Sequence, residues 1–139
     1  AAEHALEVAQ QEATENPQNS FAWFNMGSAL TRLGRYEDAA VAYDQSLRVQ
    51  FPELPWRMLW YQFGMYEAYF NVGRYDDVLS LVTANLNNGG QYVEETFYWQ
   101  GRVYAAQGLN SQAIDSYRRA LSQNSHYIAA REALDALTS

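Results

Sequence analysis

The chain has 139 residues, 48% of them hydrophobic and 15% aromatic, enough for one packed domain and too apolar for a disordered chain. Its net charge of −7 argues against nucleic acid and anionic membranes, both of which need clustered cations on the protein. There is no Cys, so disulfides and thiolate sites are excluded, and no apolar run approaches the ~20 residues of a membrane span, so no membrane insertion is expected.

From the N-terminus, EHALEVAQQEATENP reads as a leading helix over 3–15, closed by Asn16 and Pro17. It carries four Glu and no Arg, a solvated acidic face. Apolar periodicity then predicts helices over 20–33, 36–49, 55–72, 75–87, 92–107 and 111–123. A capping helix follows over 126–137, with Ala, Leu and Ile inward and Arg131, Glu132 and Asp135 outward. No alternation of period two competes, so the class is all-α. Three similar punctuation marks divide the helices: GRYEDAA at 34–40, GRYDDVL at 73–79 and GLNSQAI at 108–114. Gly34, Gly73 and Gly108 are placed to end a helix in the left-handed conformation that other residues resist. They lie 39 and 35 positions apart (34 to 73, 73 to 108), so a helix–turn–helix unit repeats with a period near 34. The acidic pairs Glu37–Asp38, Asp76–Asp77 and Glu94–Glu95 fall at helix starts, where they complement the dipole.

The stretch PWRMLWYQFGMYEAYF at 55–70 holds seven aromatic residues. In the first and third units a Gly precedes the turn Gly by seven positions, 27 to 34 and 101 to 108; from Gly64 to Gly73 it is nine. Two extra residues rotate a helix face by about 200°. Counting back from Gly73 therefore puts Met65, Tyr69 and Val72, with Met58 and Tyr61, on the core face. Trp56, Trp60, Phe63, Glu67 and Phe70 share the opposite face, and Tyr66 falls where the other units have Gly. Pro55 suits a first helical turn.

The first unit reads Trp23, Met26, Gly27, Leu30, Ala39, Tyr43 and Pro52; the third reads Phe97, Gln100, Gly101, Tyr104, Ala113, Tyr117 and Ala120. Gly27 and Gly101, with Ala39 and Ala113, let paired helices approach, and the large residues fill the space between. On these residues the chain resembles the tetratricopeptide repeat (TPR) family over roughly 20–127. The resemblance implies one all-α domain over 1–139, a right-handed TPR solenoid of three helix–turn–helix repeats at about 20–53, 59–92 and 94–127, with the leading helix and the C-terminal capping helix.

In that family the first helix of each repeat lines a concave surface that in many members grips a peptide. Carried over, the resemblance implies a groove formed by Phe21, Phe24 and Ser28, by Trp60, Phe63, Glu67 and Phe70, and by Tyr98 and Arg102 beside Glu95. The expected partner is a protein or peptide; the same face also suits an adjoining domain or a second copy of the chain. The family's tail-carboxylate clamp is not expected, because Phe24 and Ser28 stand where its first Lys and Asn would be. The run LPWRMLWYQFGMYEAYFNVGRYDDVL is also similar to TPR segments attached to bacterial papain-like peptidases, which implies an extracytoplasmic home and an accessory role. The chain begins with Ala1 rather than Met, as a mature product or an excised domain would. His4 and His126 fall in the first and last helices, and no nucleophile or phosphate-loop motif is present, so no enzyme, cofactor or metal site is expected.

Overall fold

Helices end in this chain where the sequence supplies a residue that leaves helical space without strain. Gly34, Gly73 and Gly108 all have positive φ, at 74°, 79° and 77°. At each, the Gly N–H bonds back to a carbonyl three residues earlier, and the next N–H to one five residues earlier. Arg35 to Leu30 at 2.9 Å, Arg74 to Tyr69 at 2.8 Å and Leu109 to Tyr104 at 2.8 Å are the longer closures. This is one Schellman motif, repeated at all three expected positions.

The computed structural model of the chain describes residues 1–49, 63–87 and 93–139. Among the described residues there are eight helices and no strand. They are α1 Ala2–Glu15, α2 Ser20–Arg32, α3 Tyr36–Arg48, α4 Gly64–Asn71, α5 Tyr75–Asn87, α6 Val93–Ala106, α7 Asn110–Gln123 and α8 Ile128–Thr138. Seven match expected helices within two residues at each end. The eighth, expected over 55–72, is described only from Phe63 onward: Phe63 is a non-helical N-cap with φ −100° and ψ 15°, and α4 starts at Gly64. The remainder of that expectation, residues 55–62 with Met58, Tyr61, Trp56 and Trp60, lies outside the described residues.

The chain forms two compact units. In the first, ending at Arg74, α2 packs between α1 and α3, and α4 packs on both α3 and α2. Its core is built from small residues and rings: Ala9, Ala22, Ala29, Ala39 and Ala42 around Phe24, Tyr43, Met65, Tyr66 and Tyr69. Tyr43 is the wedge. A Cβ on Gly27 would stand 2.7 Å from its ring, and one on Gly64 would stand 2.5 Å from its hydroxyl oxygen. Phe24 meets the same ring edge-on, centroids 5.5 Å apart.

In the second unit, from Tyr75, α6 packs between α5 and α7, and α8 packs on α7. Tyr117 repeats the wedge: a Cβ on Gly101 would overlap its ring. Two buried polar contacts join the layers. Asn85 Nδ2 donates to Thr96 Oγ1 at 2.5 Å, and Ser116 Oγ donates to Gln100 Oε1 at 2.9 Å. In α8 the expected inward set is corrected: Ala130 and Leu134 are buried, but Ile128 is 70% exposed, because it is the first residue of the helix and stands before the turn that meets α7.

The register of α4 follows Gly73 rather than the W-x-x-F-G pattern. Met65 and Tyr69 are buried and Val72 is half-buried. Gly64 faces Tyr43 of the preceding helix, whereas Gly27 and Gly101 face the tyrosine sixteen positions ahead in their own helix pair. Tyr66, which stands in the Gly slot by this count, is fully buried and stacks on Phe63 with centroids 4.8 Å apart.

Candidate interaction faces

The residues singled out from the sequence fall into three physical situations. Phe24 and Phe63 are buried, at 1% and 9% exposure, and form part of the packing beneath the surface of the first unit. Phe21, Ser28, Glu67 and Phe70 are half-buried on helices of that unit. Ser28 is held by Tyr43, the two hydroxyl oxygens 3.1 Å apart, and the Asn19 side chain caps the N–H of Phe21 at 2.9 Å. Trp60 lies outside the described residues.

In the second unit Tyr98 and Arg102 come together one helical turn apart on α6, each half-buried. The Arg102 guanidinium carbon sits 5.0 Å from the Trp99 ring centroid and 5.9 Å from that of Tyr98. Arg102 thus makes cation–π contacts with two neighbouring rings. Tyr98 is also the hub of an aromatic cluster, with Trp99 at 5.7 Å, Tyr117 at 6.0 Å and Tyr127 at 5.5 Å between centroids. Burial pushes the Tyr117 hydroxyl up to about 12, with neighbouring Tyr98 adding to the rise and Arg102 opposing it. Burial, then the nearby Glu95, Tyr98 and Glu94, holds Tyr127 above the ordinary tyrosine range. Both shifts favour the neutral hydroxyl at Tyr117 and Tyr127. Tyr127 was not legible as a partner of Tyr98. The available signal was an aromatic residue immediately ahead of a cap otherwise built from Ala and Leu.

A second missed arrangement lies in the first unit. Arg74, from the turn after α4, donates from Nη1 and Nη2 to Asp44 on α3, at 2.7 and 2.8 Å, and the Tyr69 hydroxyl donates to the same carboxylate at 2.8 Å. Burial alone would raise the Asp44 carboxyl, but the bonds from Arg74 and Tyr69 and the charge of Arg74 outweigh it and hold it below its usual value. Arg74 also lies over the Tyr69 ring at 4.4 Å. The GRY motif at 73–75 thus supplies both a helix stop and a clamp. The first GRY differs: Arg35 pairs locally with Asp38 at 2.7 Å.

Among the described residues no group of three or more His, Asp or Glu is placed to hold a metal ion, and no helix is long and apolar enough to cross a membrane.

Helix pairs joined by glycine stops, with a tyrosine wedged on glycine within a pair, define an all-α helical-repeat protein of the solenoid class. The chain carries tetratricopeptide repeats: models of that repeat match residues 20–50 and 95–126. Two solved structures share the fold. The crystal structure of MamA superposes with a TM-score of 0.79 at 16% identity, over 98% of this chain and 76% of that one. The MamA RS-1 ArsTM double mutant gives 0.78 at 18%, over 98% and 73%. At such identities the likeness shows the fold alone. No curated protein sequence matches the chain. The class is one of protein–protein interaction modules.

Proposed function

We propose that the chain recognises a protein or peptide segment through the exposed faces of the first helices of its repeats and performs no chemistry itself. In the second unit that face is α6, with Tyr98 and Arg102 as anchors and Trp99, Tyr117 and Tyr127 behind them. In the first unit it is carried by Phe21, Ser28, Glu67 and Phe70, with Phe24 and Phe63 supporting from below. The observation that carries this reading is the half-buried Arg102 laid on Tyr98 and Trp99. Aromatic and Arg side chains dominate the binding energy of interfaces when they sit in a water-excluding surround.

The test is peptide selection from a display library against the purified chain, followed by titration of the tightest peptide. Tyr98→Ala and Arg102→Ala should each weaken binding tenfold or more, while Glu132→Ala, on the exposed face of α8, leaves it unchanged. Equal affinity for all three variants would overturn the assignment of α6 as the recognition face.

A further inference from the structure

The first unit has a second open feature, on α1, α2 and α3. A groove of about 250 Å³ runs between α1 and α3, floored by Trp23, Met26 and Leu30 of α2 and walled by Val41 and Ala42 of α3. Val41 is 67% exposed. The third repeat has the same groove at the same positions, lined instead by Gln100, Tyr104, Asp115 and Ser116. Gln100 stands for Met26, Tyr104 for Leu30, Asp115 for Val41 and Ser116 for Ala42, each 74 positions on. The fold therefore tolerates polar side chains at the positions of Met26 and Val41, while Leu30 and Ala42, 2% and 1% exposed, form the buried part of the groove lining.

The rims decide what fits. On α3 the rim charges are Arg35 and Asp38, which neutralise each other at 2.7 Å. On α1 the rim residue is Gln10, and Glu3 and Glu7 share its face one and two turns earlier, both exposed. No Lys or Arg lies on α1 to offset them, and its one histidine is His4. The groove is smaller than the ~300–1,000 Å³ of small-molecule sites, so it suits a few aliphatic side chains of a macromolecule.

We propose that this groove docks an amphipathic helix of a partner protein, with an aliphatic stripe against Met26, Leu30 and Val41 and Lys or Arg residues along the α1 rim. It is a second surface, independent of the α6 face. Three synthetic helical peptides test it, titrated by calorimetry into the whole chain: one with a Leu stripe flanked by Arg, one with the same stripe flanked by Glu, and one with Ser replacing Leu. The Leu/Arg peptide should bind saturably, and at least tenfold tighter than either of the others. Val41→Asp places at 41 the residue that the third repeat carries at 115, so it should fold, with an unchanged circular dichroism spectrum, and weaken the Leu/Arg peptide tenfold or more. Glu3→Gln with Glu7→Gln should cut the preference for Arg over Glu by threefold or more. Val8→Ser, which alters an exposed valine elsewhere on α1, should change nothing. Failure of the Leu/Arg peptide to bind, equal binding of the Leu/Glu peptide, or indifference to Val41→Asp would each overturn the proposal. None of these outcomes bears on Tyr98 or Arg102.

Discussion

Tyr43 and Tyr117 perform one task in two places: each lays a ring on a glycine where any side chain would collide. An Ala at either glycine would gain about 1 kcal/mol of helix propensity, so propensity and packing oppose each other there. The ring is buried and walled in, so packing should win. Gly27→Ala and Gly101→Ala are each expected to lower stability by about 1–3 kcal/mol, as overpacked cores do. Urea unfolding of the two variants measures this. A rise in either midpoint would mean that the ring yields and the wedge is not tight.

The helices themselves were almost entirely readable, because their ends rest on local chemistry: a glycine stop, an acidic first turn, a period of 3.6. The side-chain constellations were less so. Gly73 set the register of α4, and with it the burial of Met65 and Tyr69, because each helical step turns the chain by a fixed angle. Phe63 could not be placed that way, since a helix that starts at Gly64 leaves its first neighbour free to fold back onto Tyr66. The Asp44 clamp joins residues 30 positions apart, beyond the reach of any helical period. Its energetic weight is open to measurement. The carboxyl titrates below its unfolded value of about 3.9, so the clamp is fully present above that pH and is lost as pH falls through the lower, folded value. Both partners keep some contact with water, so Asp44→Asn should cost about 1 kcal/mol near neutrality. The gap between wild type and variant should narrow as pH falls below about 4 and the carboxylate takes up its proton. A gap that does not narrow with that protonation would assign the loss to something other than the charge.

Across the whole chain, acid and alkali act on different parts. The chain carries a net charge of −7, yet among the described residues three tyrosines, buried Tyr43 and Tyr117 and half-buried Tyr127, have their titration pushed upward. Tyr43, Tyr117 and Tyr127 all ionise above the ordinary value of about 10, chiefly through burial. A group raised in this way contributes its full stability below pH 10 and loses it as pH rises through the folded value, about 12 for Tyr117. Helix content followed by circular dichroism should therefore hold to about pH 10 and fall beyond it, in step with tyrosinate absorbance. Tyr117→Phe, which has no hydroxyl to ionise, should move the alkaline midpoint upward; an unmoved midpoint would place the trigger elsewhere.

The three helix stops have one more property. At Gly34, Gly73 and Gly108 the backbone adopts the conformation natural to the opposite hand of amino acid, and nothing stands within 4 Å of where a methyl group would project. An L-residue meets strain at these points, while its D mirror image fits at rest and narrows only the unfolded ensemble. Ribosomal synthesis offers no such mirror-image residue, so glycine stands there as the nearest genetically encodable substitute.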